Sequence, residues 1–280
     1  MASRFERDTE VTRTSDGTYA ADVDEGWLVF RGPNGGYVAA IVLRALTAAV
    51  DDSSRSPRSL TVHYAAPAEV GAMTVNTSIE RVGRSLTSCS ARVYQGGDQG
   101  GQQQGRLVAL AVAAFSKPRD GFEFCDASMP DVKSPDALEP PVPRPDTPAI
   151  AFRWDTRWAI GREPWVEGPT TAQAVAGGWI RLEEPQALDA CAVAAMTDAW
   201  VPPVFARVGQ RVFVPTVDLT IHFRTSLPLD TAQPDDFMLA VFRTTAAKEG
   251  FLEEDGEVWS RDGTLVAQSR QLATMIPITA

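Results

Sequence analysis

The chain is poor in the residues on which most catalytic and structural chemistries depend. It has two histidines, His63 and His222, and three cysteines, Cys89, Cys125 and Cys191, in 280 residues. The cysteines are odd in number, far apart and without a CxxC pair. Neither a disulfide framework nor a zinc site follows, and a reducing cytosol is expected. No GxSxG, HExxH or GxxxxGK[ST] string occurs, which excludes a nucleophile elbow, a zincin helix and a phosphate loop. Positive charge is scarce: 26 Lys and Arg stand against 36 Asp and Glu, a formal net charge of −10. Such a surface repels phosphate backbones, so no nucleic acid is expected as a partner. Long apolar runs are missing too. The longest, Leu107 to Phe115, is about half of the roughly 20 residues that span a bilayer. Met1 to Glu10 is polar and lacks the apolar core of a secretory signal. A soluble, cytoplasmic protein without a membrane partner is the expectation.

What is present suffices for a large core, with 44% hydrophobic and 22% charged residues. At about 150 residues per domain the length allows two domains. Ser128 to Pro148 holds seven prolines in twenty-one residues, and proline removes amide donors and fixes φ. The stretch therefore reads as an extended linker (128–150) between an N-terminal domain (1–127) and a C-terminal one (151–280).

The two halves repeat one another. Leu60-Thr61-Val62-His63-Tyr64 is matched by Leu219-Thr220-Ile221-His222-Phe223, and Gly105-Arg106-Leu107-Val108-Ala109 by Gly263-Thr264-Leu265-Val266-Ala267. The order and the offset are nearly the same, as a duplicated unit requires. Each copy opens with a helix. Asn34 caps the first, whose stripe of Val38, Ile41, Val42, Ala45 and Ala49 runs to Val50. Pro185 is expected to start the second, with Leu188, Cys191, Ala192, Ala195 and Ala199 inward. Strands are expected at Leu60–Tyr64, Met73–Arg81, Thr87–Gln95 and Leu107–Ser116, then at Thr216–Phe223, Phe237–Thr245, Glu257–Arg261 and Thr264–Thr274. Asp262-Gly263 reads as a two-residue hairpin turn, and Gly96 to Gly105 as its longer counterpart. The expected fold is α+β: two antiparallel sheets, each curled around a long central helix, able to pair edge to edge as a homodimer would.

Chemistry must be sought away from the histidines, which occupy matching strand positions and read as repeated structural residues. The copies differ elsewhere. Asp198 in Met196-Thr197-Asp198-Ala199 stands where the first helix has Ala48 in Leu46-Thr47-Ala48-Ala49. It is either a surface carboxylate of a C-terminal turn or a functional acid pointing inward, where an ionised group needs partners. At the repeat offsets Thr216 falls against Pro57 and Gln271 against Ala113. One copy thus carries Asp, Thr and Gln where the other has Ala, Pro and Ala. The Gly-rich entry to the first helix, Gly32-Pro33-Asn34-Gly35-Gly36-Tyr37, is either a tight turn with an Asn cap or a place where open amides receive a phosphate or an oxyanion.

The helix entry, His63-Tyr64-Ala65-Ala66-Pro67-Ala68 and Glu80-Arg81-Val82-Gly83-Arg84-Ser85 resemble the thioesterase-like double-hotdog proteins. Thr197-Asp198, Pro215-Thr216-Val217-Asp218 and Gly263 through Gln271 resemble bacterial acyl-CoA thioesterase II. The resemblance runs from about Asp24 to Ile276 and excludes the Pro-rich segment. It departs at Asn34-Gly35-Gly36-Tyr37, where a Gly-Gly-Gln string is usual, and at Leu219, where His is. It implies a double hotdog whose Asp, Thr and Gln hold and activate the water that cleaves a thioester. By motif these are Asp198, Thr216 and Gln271. The expected function is hydrolysis of acyl-CoA to free acid and coenzyme A, a step in lipid metabolism, with a non-catalytic acyl-CoA-binding protein as the alternative. The Gly35 and Gly36 amides are then expected to polarise the thioester carbonyl, and Arg81 and Arg84 to meet coenzyme A phosphates. No metal or redox cofactor is required, and a homo-oligomer is expected.

Overall fold

Capping chemistry sets where the helices begin. The computed structural model describes residues 2–97, 105–164, 166, 169–208 and 212–278. Its α-helices are α1 (Arg4–Asp8), α2 (Gly35–Val50) and α3 (Ala190–Met196). In α2 the Asn34 side chain accepts from the Tyr37 amide, and the helix ends at Asp51 in the left-handed conformation. Every residue from Gly36 to Leu43 is buried, so this helix is hydrophobic all round, as the core element of a sheet protein must be.

The second helix departs from expectation. It has seven residues, not a long span from Pro185, and is capped by Asp189, whose side chain accepts from the Ala192 amide. Thr197 closes it by turning its hydroxyl back onto the Ala194 carbonyl at 2.8 Å. Pro202 and Pro203 follow too soon for another turn to form. Asp198 therefore lies just past the helix, in the turn that leaves it.

The strands of the main sheet are β1 (Thr12–Ser15), β2 (Thr18–Val23), β3 (Ser56–Tyr64), β4 (Gly71–Val82), β5 (Leu86–Gln95), β6 (Arg106–Ser116), β7 (Trp154–Gly161), β8 (Ala174–Leu182), β9 (Thr216–Phe223), β10 (Met238–Thr244), β11 (Phe251–Trp259) and β12 (Leu265–Thr274). Instead of two sheets they form one 13-stranded antiparallel sheet, ordered β1-β2-β4-β5-β6-β3-β9-β12-β11-β10-β8-β7, with the short Ala247–Lys248 strand beside β11. The halves join at β3 and β9, where pairing removes two open edges at once. That seam is self-complementary: Leu60 faces Ile221, Val62 faces Leu219, and the Thr61 and Thr220 hydroxyls meet at 3.0 Å. α2 packs on β3 to β6 and against α3.

One turn differs in detail from the sequence reading. The Asp262-Gly263 hairpin is closed by Ser260 and Thr264 and encloses three residues, with Gly263 at φ +88° in the position that needs a left-handed residue. Residues 98–104 of the counterpart loop lie outside the described residues. The Pro-rich segment is extended, with one short 3-10 turn at Pro135–Ala137, but it is no free spacer. Ala127, Met129, Val132 and Leu138 pack on Trp179, Phe237, Leu239, Val241 and Trp259. The Trp179 indole donates to the Lys133 carbonyl at 2.8 Å. Its apolar residues cover a sheet face that its prolines cannot extend.

Candidate active site

The turn after α3 meets the first turn of α2, and glycine permits the approach. A Cβ on Gly36 would stand 2.7 Å from the Ala195 carbonyl oxygen and 2.9 Å from the Asp198 Cβ. With no side chain there, the Gly36 amide donates to Asp198 Oδ2 at 2.9 Å. Asn34 completes the grip. Its Oδ1 caps α2, and its Nδ2 donates to Asp198 Oδ2 at 2.9 Å and to the Asp198 carbonyl at 2.7 Å. The open amides of the helix entry thus do receive an anion, and it is the protein's own carboxylate. The Gly35 and Gly36 amides, expected at a thioester carbonyl, are directed at Asp198 instead. Tyr64, at the end of β3, donates to the Gly35 carbonyl at 2.7 Å and walls the same corner.

Asp198 is half-buried, and its pKa reflects two opposed effects. Burial raises it most, while the Gly36 amide, the Asn34 amide group, the Gly35 amide and the Gln271 carboxamide each lower it; the result is about 6, against 3.8 for a free Asp. Tyr64 is pushed well above its usual range by burial and then by the Asp198 charge. The carboxylate is ionised at neutral pH yet basic enough to take a proton, the balance a general base needs.

A β-bulge brings the threonine in. On β9, Leu219 and Ile221 are fully buried on the helix side. Counting back by strict alternation puts Thr216 on the opposite face. The register, however, slips between Thr216 (opposite Ala273) and Asp218 (opposite Leu272), so Val217 is an extra residue. The bulge returns Thr216 to the inner face, where its hydroxyl donates to Gln271 Oε1 at 2.9 Å. The first half has the same slip between Pro57 and Ser59, with no hydroxyl to aim. Gln271 is 6% exposed and faces Leu219 on one side and Glu254 on the other. Its Nε2 donates to Glu254 Oε1 at 2.7 Å. The structure therefore brings Asp198, Thr216 and Gln271 together, together with Asn34, Tyr64 and Glu254.

The other residues named from the sequence lie elsewhere. Arg81 and Arg84 are exposed at the far end of β4 and in the turn after it. Four strand steps separate β4 from β9, about 19 Å at ~4.8 Å each. His63 and His222 are exposed on the outer face, His63 standing 4.0 Å from Asp218. Glu254 escaped sequence reading because Glu253-Glu254-Asp255 is poor strand sequence, and the strand was expected to begin at Glu257. The alternation of buried Leu252, Glu254, Gly256 and Val258 was the available signal. Among the described residues no His/Cys/Asp/Glu group suits a metal ion, and no helix is long and apolar enough to cross a membrane.

Known proteins place this arrangement in context. Residues 130–275 match the family model for the acyl-CoA thioesterase C-terminal domain, and residues 23–116 that for the acyl-CoA thioesterase N-terminal domain. A conserved protein of unknown function with a hot dog fold, from Alicyclobacillus acidocaldarius, superposes with a TM-score of 0.86 at 28% identity over 100% of both chains. A putative thioesterase II from Thermobifida fusca YX gives 0.83 at 24% identity, covering 98% of this chain and 97% of its own. Acyl-CoA thioesterase II TesB2 from Mycobacterium marinum gives 0.76 at 20%, covering 98% and 99%. The last two speak for the shared fold.

Proposed function

The chain belongs to the acyl-CoA thioesterase family, a family of thioester-cleaving enzymes, and from that premise we propose that it hydrolyses an acyl-CoA to the free acid and coenzyme A with a water activated by Asp198. We read the halves as two hot dog units fused in one chain, divided as 1–127 and 151–280, with the site of the second completed by the helix entry of the first. The observation that carries the reading is the Asp198 carboxylate, held by Asn34 and Gly36 beside the Thr216–Gln271 pair.

The chemistry follows from the donors and acceptors. The Thr216 proton is committed to Gln271 Oε1, which leaves the lone pairs of the hydroxyl oxygen to accept from a water. That water gives its other proton to Asp198 as its oxygen bonds to the thioester carbonyl carbon. The tetrahedral intermediate collapses with loss of the C–S bond, and the departing thiolate takes the proton back from Asp198. Holding the water supplies proximity, and removing its proton adds about 10²–10⁴-fold. Water is the co-reactant, and the thiolate is a good leaving group. Gln271 acts on the water through Thr216 and Asp198. Gln271→Ala is expected to lower kcat by about 10–100-fold while changing acyl-CoA affinity little. Kinetics and isothermal titration on that variant check this, and loss of affinity at unchanged kcat would make Gln271 a binding residue only.

The raised Asp198 pKa carries a sign. A base works when deprotonated, so kcat/KM is expected to fall as pH drops through about 6, instead of through the ordinary carboxylate range near 4. A thiol-release assay between pH 4.5 and 7.5 reads the midpoint. Thiol release from a panel of acyl-CoA thioesters tests the function itself. Binding of many acyl chains with release from none would identify a carrier instead.

A further inference from the structure

Glu254 is a buried acid that the proposed mechanism does not use. It is 5% exposed, deep on the inner face of β11, directly opposite Gln271. Its Oε1 accepts from Gln271 Nε2 at 2.7 Å, while its Oε2 is buried with no hydrogen-bond partner among the described residues. Among the described residues no cation pairs with it, and the leading charges that act on it, Asp198 from the turn after α3 and Glu253 and Asp255 from its own strand, are acidic. A carboxylate so placed is costly, and neutralisation by a proton is the ordinary escape.

Internal symmetry supplies a control. In the first half the row that corresponds to Glu254–Gln271–Leu219 is Cys89–Ala113–Leu60, with the same cross-strand pairing. Cys89 is a buried small hydrophobe there, 1% exposed, and offers its thiol only to the Ala113 carbonyl. The fold has no need of an acid at this position. The acid occurs in the copy that also carries Asp198, Thr216 and Gln271.

We propose that Glu254 is a positioning residue whose Oε1 takes an amide hydrogen of Gln271 and so helps hold that carboxamide with its nitrogen toward Asp198 and its oxygen toward Thr216. The physical reason is that an amide chooses between two flipped orientations by its partners. Thr216 alone does not choose, because a hydroxyl donates as readily as it accepts. Ionised Asp198, which can only accept, does, and Glu254 reinforces it, with Oε1 as the carbonyl acceptor and its proton on the unpartnered Oε2. With both acceptors in place the Gln271 oxygen takes the Thr216 proton, which is what leaves the Thr216 lone pairs open. Burial first, then the Asp198 charge, push the Glu254 carboxyl up to about 8, so the neutral acid predominates at pH 7. Above that pH a second negative charge appears beside Asp198.

This proposal rests on the Asp198 mechanism for its kinetic consequences but not for its geometry, so it is tested in two ways. Kinetics compare wild type, Glu254→Gln, Glu254→Leu and Glu254→Leu/Gln271→Ala, each checked by circular dichroism. Glu254→Gln keeps an acceptor without a charge: kcat within about threefold of wild type at pH 7 is expected, with loss of the fall in rate expected of wild type above pH 8, where a second charge appears beside Asp198. Glu254→Leu is expected to lose about 10–100-fold in kcat with KM within about threefold, and to cost almost nothing more once Gln271 is already Ala. Wild-type kcat in folded Glu254→Leu, or additive losses in the double variant, would overturn the proposal. The second test needs no turnover. In 15N-labelled protein the Gln271 side-chain NH2 signals, assigned with Gln271→Ala, should titrate with a midpoint near 8 and lose that titration in Glu254→Gln. Signals indifferent to pH from 7 to 9 would sink the assignment even if the enzyme turns over, whereas a titrating signal in a protein that hydrolyses no thioester would refute the function and leave Glu254 where it is placed.

Discussion

Replacing Asp198 by Ala is expected to lower kcat for acyl-CoA hydrolysis by about 10²–10⁴-fold, the range general-base removal usually costs, while the protein stays folded. The carboxylate is the acceptor on which Asn34, Gly36 and Gln271 converge, and no other residue of the trio can take a proton at neutral pH. Asp198→Asn separates charge from shape and should lose comparable activity. Its stability should move the other way. The folded pKa, about 6, exceeds the free value of 3.8, so folding binds a proton more tightly than the unfolded chain does. That stabilisation is complete below pH ~4 and is lost as pH rises through about 6; above it the folded protein carries the cost of a half-buried charge. At 1.36 kcal/mol per pKa unit, discounted for solvent screening, this is roughly 1–3 kcal/mol. Asp198→Asn should therefore melt higher than wild type at pH 8 and alike at pH 4. Thermal melts at both pH values, beside a thiol-release assay, check the pair of claims. Near wild-type turnover by Asp198→Ala would end the assignment.

Gly36→Ala is expected to have the second largest effect, without touching any group that does chemistry. Its new Cβ would meet the Ala195 carbonyl oxygen at 2.7 Å and the Asp198 Cβ at 2.9 Å, both fixed to backbone. Neither can swing aside, so α2 and the turn after α3 must separate. The hydrogen bond from the Gly36 amide to Asp198 lengthens, and the base shifts from its water. A displacement of this kind costs up to about 10²-fold in rate, and the overpacking about 1–3 kcal/mol in stability. Gly35→Ala is the informative comparison. Its Cβ would meet Asp198 Oδ2 at 2.9 Å and the Tyr64 ring end at 3.2 Å, side-chain atoms that can move. That variant should lose activity yet melt close to wild type. Equal melting and full activity in Gly36→Ala would mean that the two helices are not held together by this contact.

Much of the fold is legible along the chain because its causes are local. The Asn34 cap and the apolar stripe that follows place α2 from Gly35 to Val50, and the repeated LTVHY and LTIHF segments place the two strands that form the seam. Asp198, Thr216 and Gln271 stand out against Ala48, Pro57 and Ala113 because a duplicated chain supplies its own comparison. Where local cues conflict, the sequence misleads. The alanine-rich run from Pro185 has helical periodicity, yet the Asp189 cap and the Pro202-Pro203 pair confine α3 to seven residues. The acidic run Glu253 to Asp255 has low strand propensity, yet β12 pairs with it throughout, and Glu254 is carried into the core.

What the sequence determined by itself was the order of the two core helices and eight of the strands, the repeated segments and the identity of three polar residues present in one copy and absent from the other, since propensity, capping and repetition act over a few residues. Only the tertiary structure decided that the halves share one sheet, that a bulge at Val217 turns Thr216 inward, and that the amides at Gly35 and Gly36 serve Asp198. Register, and the choice of partner for a buried charge, are settled between segments that lie far apart in the chain. A one-residue slip exchanges the two faces of a strand, and no local preference reports which slip occurs.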